Sequence, residues 1–174
     1  DAVYHGTTIF MDFRDTANPS LVEVDIDGRV TWEYPIPDEA KHPRVSGGPD
    51  VEWLPNGDIL FVMPYKGVYQ VKEFVWSYET NDVSHDADRL SNGNILMVCG
   101  WGDKPEISVQ EVNQQGQVVW EWYPKDHLDD PDSRTTEEGY THSNLAIRLG
   151  DGNILISVRN FDMLVEVDLQ GEIV

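Results

Sequence analysis

The chain has 174 residues, 40% of them hydrophobic, with 12 basic and 32 acidic side chains for a formal net charge of −20. That length suits one domain with a packed core, and no apolar run approaches the roughly 18 residues a membrane-spanning helix needs. So negative a surface repels phosphate backbones and anionic lipids, which excludes nucleic acid as an expected partner and, with the missing apolar run, membrane insertion. Cys99 is the only cysteine, so no internal disulfide is expected. No signal peptide opens the chain, which reads as cytoplasmic, already processed or a fragment.

Taken in order, residues 7–14 read as a strand ending at Arg14. LVEVDIDGRVTWEY (21–34) is strand, turn, strand, with Gly28 four residues after Val24 and Trp32 four after Gly28. Its DIDG resembles the opening of a calcium loop but lacks the downstream bidentate glutamate, so it reads as a hairpin turn. After a connection at 35–48, PDVEWLPNGDILFVM (49–63) gives a short strand ending at Leu54, a turn with Gly57, and a second strand opened by Ile59 and Leu60. VYQVKEFVWSY (68–78) is a shortened strand–turn–strand that keeps Trp76. Either its hairpin near 71–74 is tighter, or residues are missing there and Val71 and Lys72 are not joined normally.

After a connection at 79–84, HDADRLSNGNILMVC (85–99) repeats the leucine–glycine pattern with Leu90 and Gly93, and opens on His85. VQEVNQQGQVVWEW (109–122) repeats the other unit with Gly116 and Trp120. The connection 124–140 carries Asp126, Asp129, Asp130, Asp132, Glu137 and Glu138, and reads as a solvated loop, with calcium binding the rarer alternative. NLAIRLGDGNILISV (144–158) returns Leu149 and Gly152, and LVEVDLQGEIV (164–174) returns Gly171.

Two strand–turn–strand units therefore alternate, and Trp32, Trp76 and Trp120 are spaced by 44 residues each. A period of about 40–45 residues with four strands per unit is the pattern of a β-propeller. The expected fold is all-β, a single domain over 1–174 with blades at about 7–34, 49–78, 85–122 and 143–174. Blade one starts at its second strand, blades two and three are complete, and the last strand of blade four is cut short at Val174, giving roughly fifteen strands. The expectation is part of a larger, six-bladed propeller, with an open edge met by missing blades or self-association; the alternative is a four-bladed closure with an unpaired edge. The three tryptophans read as core or inter-blade packing, and the recurrent Asp50 and Asp86 as turn formers.

Propeller geometry puts the start of each first strand and the end of each second strand on one rim. His85, His142 and Asn144 stand at such starts, and Arg159 and Arg14 at matching ends. The corresponding place holds Pro64, Tyr65 and Lys66 in blade two, and Gly100 and Trp101 in blade three. Histidine, arginine and asparagine around one mouth suit an anionic group held by charge-assisted hydrogen bonds, and a histidine there can act as acid, base or nucleophile. The plainer reading of each histidine is a cap on a backbone group. His5, His42 and His127 carry no motif. No metal is expected, because two histidines without a further ligand cluster are a weak zinc signal. Nor is there a Ser-His-Asp signature or a phosphate-cradling glycine loop.

The units HDADRLSNGNIL, THSNLAIRLGDGNILISVRN and LVEVDLQGEIV resemble the bacterial arylsulfotransferase family of six-bladed propellers, across about residues 20–174. The more specific part is THSN followed by the arginine of SVRN. The resemblance implies that His142, Asn144 and Arg159 bind the sulfate group and that His85 is another channel histidine. His85 and His142 are then the candidate catalytic residues, with Asn144, Arg159 and Arg14 substrate-binding. The implied chemistry is ping-pong transfer of a sulfuryl group from an aryl sulfate to a phenol through a sulfated histidine. That nucleophile lies on a blade beyond His142 and is absent from this chain. The resemblance also implies no cofactor, a small aryl sulfate or phenol as partner, and a periplasmic or extracellular location. The rival reading is a non-catalytic extracellular propeller that binds or assembles through its acidic rim. A quinoprotein-like enzyme with calcium is disfavoured, because no motif for either group appears.

Overall fold

The computed structural model describes residues 6–43, 49–71, 76–100, 107–129 and 140–174. The expected tight or interrupted hairpin at 71–74, Trp101, and most of the acidic loop (Asp130, Asp132, Glu137 and Glu138) lie outside the described residues.

Four antiparallel sheets follow one another along the chain. Sheet one holds β1 (Thr8–Asp12), β2 (Ser20–Val24) and β3 (Val30–Pro35). Sheet two holds β4 (Val51–Trp53), β5 (Ile59–Met63), β6 (Gly67–Val71) and β7 (Trp76–Glu79). Sheet three holds β8 (Val83–Arg89), β9 (Ile95–Cys99), β10 (Val109–Val112) and β11 (Val118–Trp122). Sheet four holds β12 (Ser143–Arg148), β13 (Ile154–Val158) and β14 (Met163–Val167). In each sheet the strands pair in chain order. The described residues thus form fourteen strands. The tail beyond β14 adds only an isolated bridge between Val167 and Ile173 in place of a fifteenth.

The hairpins form where expected because their turns are locally encoded. In the turn after β4, the amide of Gly57 bonds to the carbonyl of Leu54, and the amide of Leu54 to the carbonyl of Asp58. The same pair of bonds recurs around Gly93 and Gly152. Gly57 sits at φ +86°, a left-handed conformation that costs a side-chain-bearing residue roughly 1 kcal/mol.

Alternation within the strands then assigns the seams. Ile59, Phe61 and Met63 of β5 pack with Leu21, Ile36 and Ala40 of the first unit, while Leu60 and Val62 pack against Val83, Ala87 and Met97 of sheet three. β9 behaves likewise, with Leu96 and Val98 meeting Ile154, Ile156 and Val158 of sheet four. This explains why ILFVM and ILMVC are apolar at every position: a strand covered on both faces has no solvent side. In β13 only Ile154, Ile156 and Val158 are buried, and Leu155 and Ser157 are half-exposed.

Polar clasps stitch the seams. The Asp86 carboxylate accepts the amide of Ala146, on β12, at 2.9 Å, and Asp50 accepts the amide of Ala87, on β8. The two aspartates were expected to form turns. Instead they are equivalent residues, each four before the leucine that ends its unit, and each binds the next inner strand across a seam. Tryptophans do the same at the outer end: Trp76 Nε1 donates to the Gln114 carbonyl and Trp120 Nε1 to the Leu169 carbonyl, both at 3.1 Å. Arginines form a third clasp. Arg89 donates to its own turn at Gly93 O (2.8 Å) and to Gln70 Oε1 in sheet two (2.5 Å). Arg148 donates to Gly152 O at 2.8 Å and pairs with Glu111 in sheet three.

One glycine marks a close backbone approach. Gly67 opens β6 at φ +155°, and a Cβ there would lie 2.4 Å from the Tyr78 carbonyl oxygen. Gly67→Ala should therefore force β6 and β7 apart and cost about 2–4 kcal/mol. Thermal denaturation monitored by tryptophan fluorescence checks this; an unchanged midpoint would show that the strand pair yields without cost.

Candidate functional site

The rim of the third and fourth sheets gathers three of the expected residues. His85 lies on β8, and His142 immediately precedes β12. Their Nε2 atoms are 3.2 Å apart, and the rings stack with centroids 5.2 Å apart and planes inclined by 20°. Arg159 begins a short 3-10 turn after β13. Its Nη1 lies 2.9 Å from His142 Nε2 and 3.2 Å from His142 Nδ1. These contacts join side chains 57 and 17 residues apart in sequence.

Proton accounting constrains this cluster. A guanidinium only donates, so the His142 nitrogen that accepts from Arg159 must be unprotonated. His85 then faces the same nitrogen and competes for one lone pair. An anion placed against the three groups relieves that competition, because it accepts from Arg159 and lets the imidazoles carry protons.

His142 is held in an uncommon backbone conformation. It is 6% exposed and sits at φ +46°, a region a non-glycine residue enters only when its surroundings require it. Both neighbours are tied down. The Thr141 carbonyl accepts the Asn160 amide at 2.9 Å. Ser108 Oγ lies 2.6 Å from Ser143 Oγ and 3.2 Å from Thr141 Oγ1. Ser108, Thr141, Ser143 and Asn160 are the positioning residues that reading the sequence missed. The available signal was the pair of hydroxyls flanking the histidine in THS; their partner, Ser108, is visible only in the folded chain.

Asn144 and Arg14 are placed differently. Asn144 is half-buried on β12 and lines, with Arg159 and Asp162, a cavity of about 370 Å³. It therefore shares a cavity with the arginine without joining the histidine stack. Arg14 follows β1 with its side chain 87% exposed, and its guanidinium bonds to Asp12 at 2.7 Å. It lines a separate cavity of about 640 Å³ beside Phe10 and Val22 on sheet one. The Arg14 ion pair is with a carboxylate two residues away, and its own side chain stays exposed.

Below the basic trio, the inner strands turn acidic. Asp50, Glu52, Asp86 and Asp88 all have carboxyls held above the usual range, with burial the largest cause in each. Asp86 is pushed up to about 7, by burial first and then by Asp88, Asp50 and Glu52. Among the described residues, no group of three or more histidine, cysteine, aspartate or glutamate side chains is arranged to hold a metal ion.

Comparison with known proteins adds the following. A family model described as Arylsulfotransferase (ASST) matches residues 2–174. No curated protein sequence matches the chain. Among solved structures, a catalytically inactive virginiamycin B lyase from Staphylococcus aureus with quinupristin aligns at TM-score 0.59 and 13% identity, over 98% of this chain and 52% of that one. A streptogramin B lyase aligns at TM-score 0.60 and 11% identity, over 97% of this chain and 57% of that one. Selenomethionine-substituted virginiamycin B lyase from the same species aligns at TM-score 0.54 and 14% identity, over 100% of this chain and 67% of that one. At these identities the likeness concerns the fold, which is β-propeller-like. The chain spans about half the length of the first of these relatives.

Proposed function

The chain belongs to the arylsulfotransferase family, and on that premise we propose that it forms the sulfate-binding part of an enzyme that transfers a sulfuryl group from an aryl sulfate to a phenol. The observation that carries this reading is the contact of Arg159 with His142 and of His142 with His85. A sulfate ester concentrates negative charge on its oxygens, and charge moves to the bridging oxygen as the S–O bond breaks. Arginine and imidazole gathered in one cluster can stabilise that charge once the anion takes the place of their mutual contacts. In this reading Arg159 and His142 grip the sulfuryl oxygens, Asn144 bonds to the substrate from the adjoining cavity, and His85 protonates the phenolate that departs as a nucleophilic histidine of a further blade takes up the sulfuryl group. Membership of a typically exported family supports a periplasmic or extracellular location.

Arg159→Ala should weaken aryl sulfate binding by about 1.5–3 kcal/mol, roughly tenfold or more. Arg14→Ala should leave it unchanged, because Asp12 already holds that side chain. Titration calorimetry with 4-nitrophenyl sulfate reads both variants. Equal binding by the wild type and Arg159→Ala would overturn the assignment. A non-catalytic assembly module is the second reading. It is favoured by the uncovered apolar face of sheet four, where Leu145 and Ile147 are each 38% exposed and Leu164 is 63% exposed. It expects no aryl sulfate binding in the same titration.

A further inference from the structure

Away from the rim, the seam between sheets one and two encloses a cavity of about 130 Å³. Its walls include Tyr34, Phe61, Tyr69 and Trp76, and its lining includes the exposed Glu39 and Glu79. The aromatic wall is pre-packed: the Phe61 and Tyr69 rings stack with centroids 5.3 Å apart, and Tyr34 stacks on Trp32 at 6.0 Å. Glu39 comes from the 3-10 turn Asp38–Ala40, which Ile36 and Ala40 anchor in the core, and Glu79 ends β7. Neither carboxylate depends on a long loop for its place.

One polar group here has no partner. Tyr69 is 8% exposed, and its hydroxyl is the one buried side-chain oxygen or nitrogen among the described residues without a hydrogen bond. Leaving such a group unpaired is destabilising. The hydroxyl lies within electrostatic reach of both glutamates: its pKa is pushed up to about 12, by burial first and then by Glu79 and Glu39. The cavity therefore combines an unmet hydrogen-bonding group, aromatic walls and two negative charges.

We propose that this cavity binds the protonated primary amine of a short alkylamine, with its N–H groups on the Tyr69 phenol oxygen and the Glu39 and Glu79 carboxylates and its alkyl stem against Tyr34, Phe61 and Trp76. An ammonium head carries three donors, enough for one phenol oxygen and two carboxylates. Aromatic faces attract cations as well as covering the stem. A quaternary ammonium would leave the phenol unsatisfied, and a neutral alcohol would bring one donor in place of three and forgo the charge attraction of both carboxylates. The formal charge of −20 draws cations toward the whole molecule. This site is separate from the rim, and its occupancy does not depend on the sulfate reading.

The test is a titration of the purified protein with n-butylammonium chloride, followed by calorimetry and by the tryptophan and tyrosine fluorescence. Tetramethylammonium chloride and 1-butanol serve as controls. The wild type should bind butylammonium saturably in the millimolar range, and at least tenfold more tightly than either control. Tyr69→Phe keeps the ring and removes only the unpaired hydroxyl, so it should fold while binding about tenfold more weakly. Combined replacement of Glu39→Gln and Glu79→Gln, both at exposed positions, should weaken binding further, and added salt should weaken wild-type binding. Absence of saturable binding by the wild type, or binding of 1-butanol or tetramethylammonium as tight as that of butylammonium, would overturn the proposal. So would an unchanged affinity in Tyr69→Phe. A wild type that binds aryl sulfate but not butylammonium would sink this site alone.

Discussion

Replacing Arg148 with methionine should lower the stability of the fold by about 3 kcal/mol, within the range of roughly 3–5 kcal/mol for breaking a buried ion pair from one side. The reason lies in what the substitution leaves behind. The Arg148 side chain is 20% exposed and that of its partner Glu111 is 8% exposed. Without the guanidinium, the Glu111 carboxylate stays buried in the seam between sheets three and four. Asn94 Nδ2 at 2.6 Å still donates to it, which keeps the expected loss at the lower end of the range. Glu111→Gln in the same molecule removes the stranded charge, so the double variant should recover about half of the loss.

Arg89 supplies an internal comparison. Its partner across the seam is the neutral Gln70 rather than a carboxylate. Arg89→Met breaks no direct ion pair, although it removes the positive charge near Glu52, and should cost less, about 1–2 kcal/mol. Urea denaturation of the four proteins gives the comparison directly. Equal losses for the two arginine variants would show that lost packing, not the stranded charge, dominates.

Asp86→Asn should stabilise the protein at pH 8 and do little at pH 4. Asp86 is 7% exposed, and its carboxyl is pushed up to about 7 by burial, then by Asp88, Asp50 and Glu52. Those neighbouring carboxyls are shifted upward as well. The unfolded chain releases the Asp86 proton near pH 3.9. Between that value and about 7 the folded state holds the proton and the unfolded state does not. Stability therefore falls as pH rises through this window, and levels off above it. The penalty at pH 8 is on the order of 4 kcal/mol from three pH units. Asparagine has the shape of the protonated acid and can still accept the Ala146 amide, so the variant removes the charge and keeps the clasp. Thermal unfolding between pH 4 and pH 8 checks this: the wild-type midpoint should drop more steeply than that of the variant. Parallel curves would mean that Asp86 is ionised without cost in the folded state.

Much of the fold was legible because it is local. Gly57, Gly93 and Gly152 each allow a left-handed turn residue, and that preference acts within four residues of chain. The 44-residue tryptophan spacing indicated a repeat, and Trp76 and Trp120 do bond to the next unit. The candidate site was legible in residue type and strand position, but not in its contacts. His85, His142 and Arg159 were singled out from their places on strands and from a family resemblance, and the fold brings them into contact. Arg14 had the same positional credentials, and the fold places it apart from them, paired with Asp12 on sheet one.

What the sequence by itself determined is where the chain turns and which residues alternate toward a sheet face, since backbone preference and strand periodicity act over a few residues. Tertiary structure alone decided the partners across each seam. Asp50 and Asp86 resemble turn residues in isolation, and become inter-sheet acceptors only when Ala87 and Ala146 arrive. Ser108 orients the neighbours of His142 from 33 and 35 residues away. Tyr69 reads as one more strand aromatic until packing buries its hydroxyl with nothing to bond. Each of these depends on desolvation and on chain segments distant in sequence, and neither is encoded at the residue that feels it.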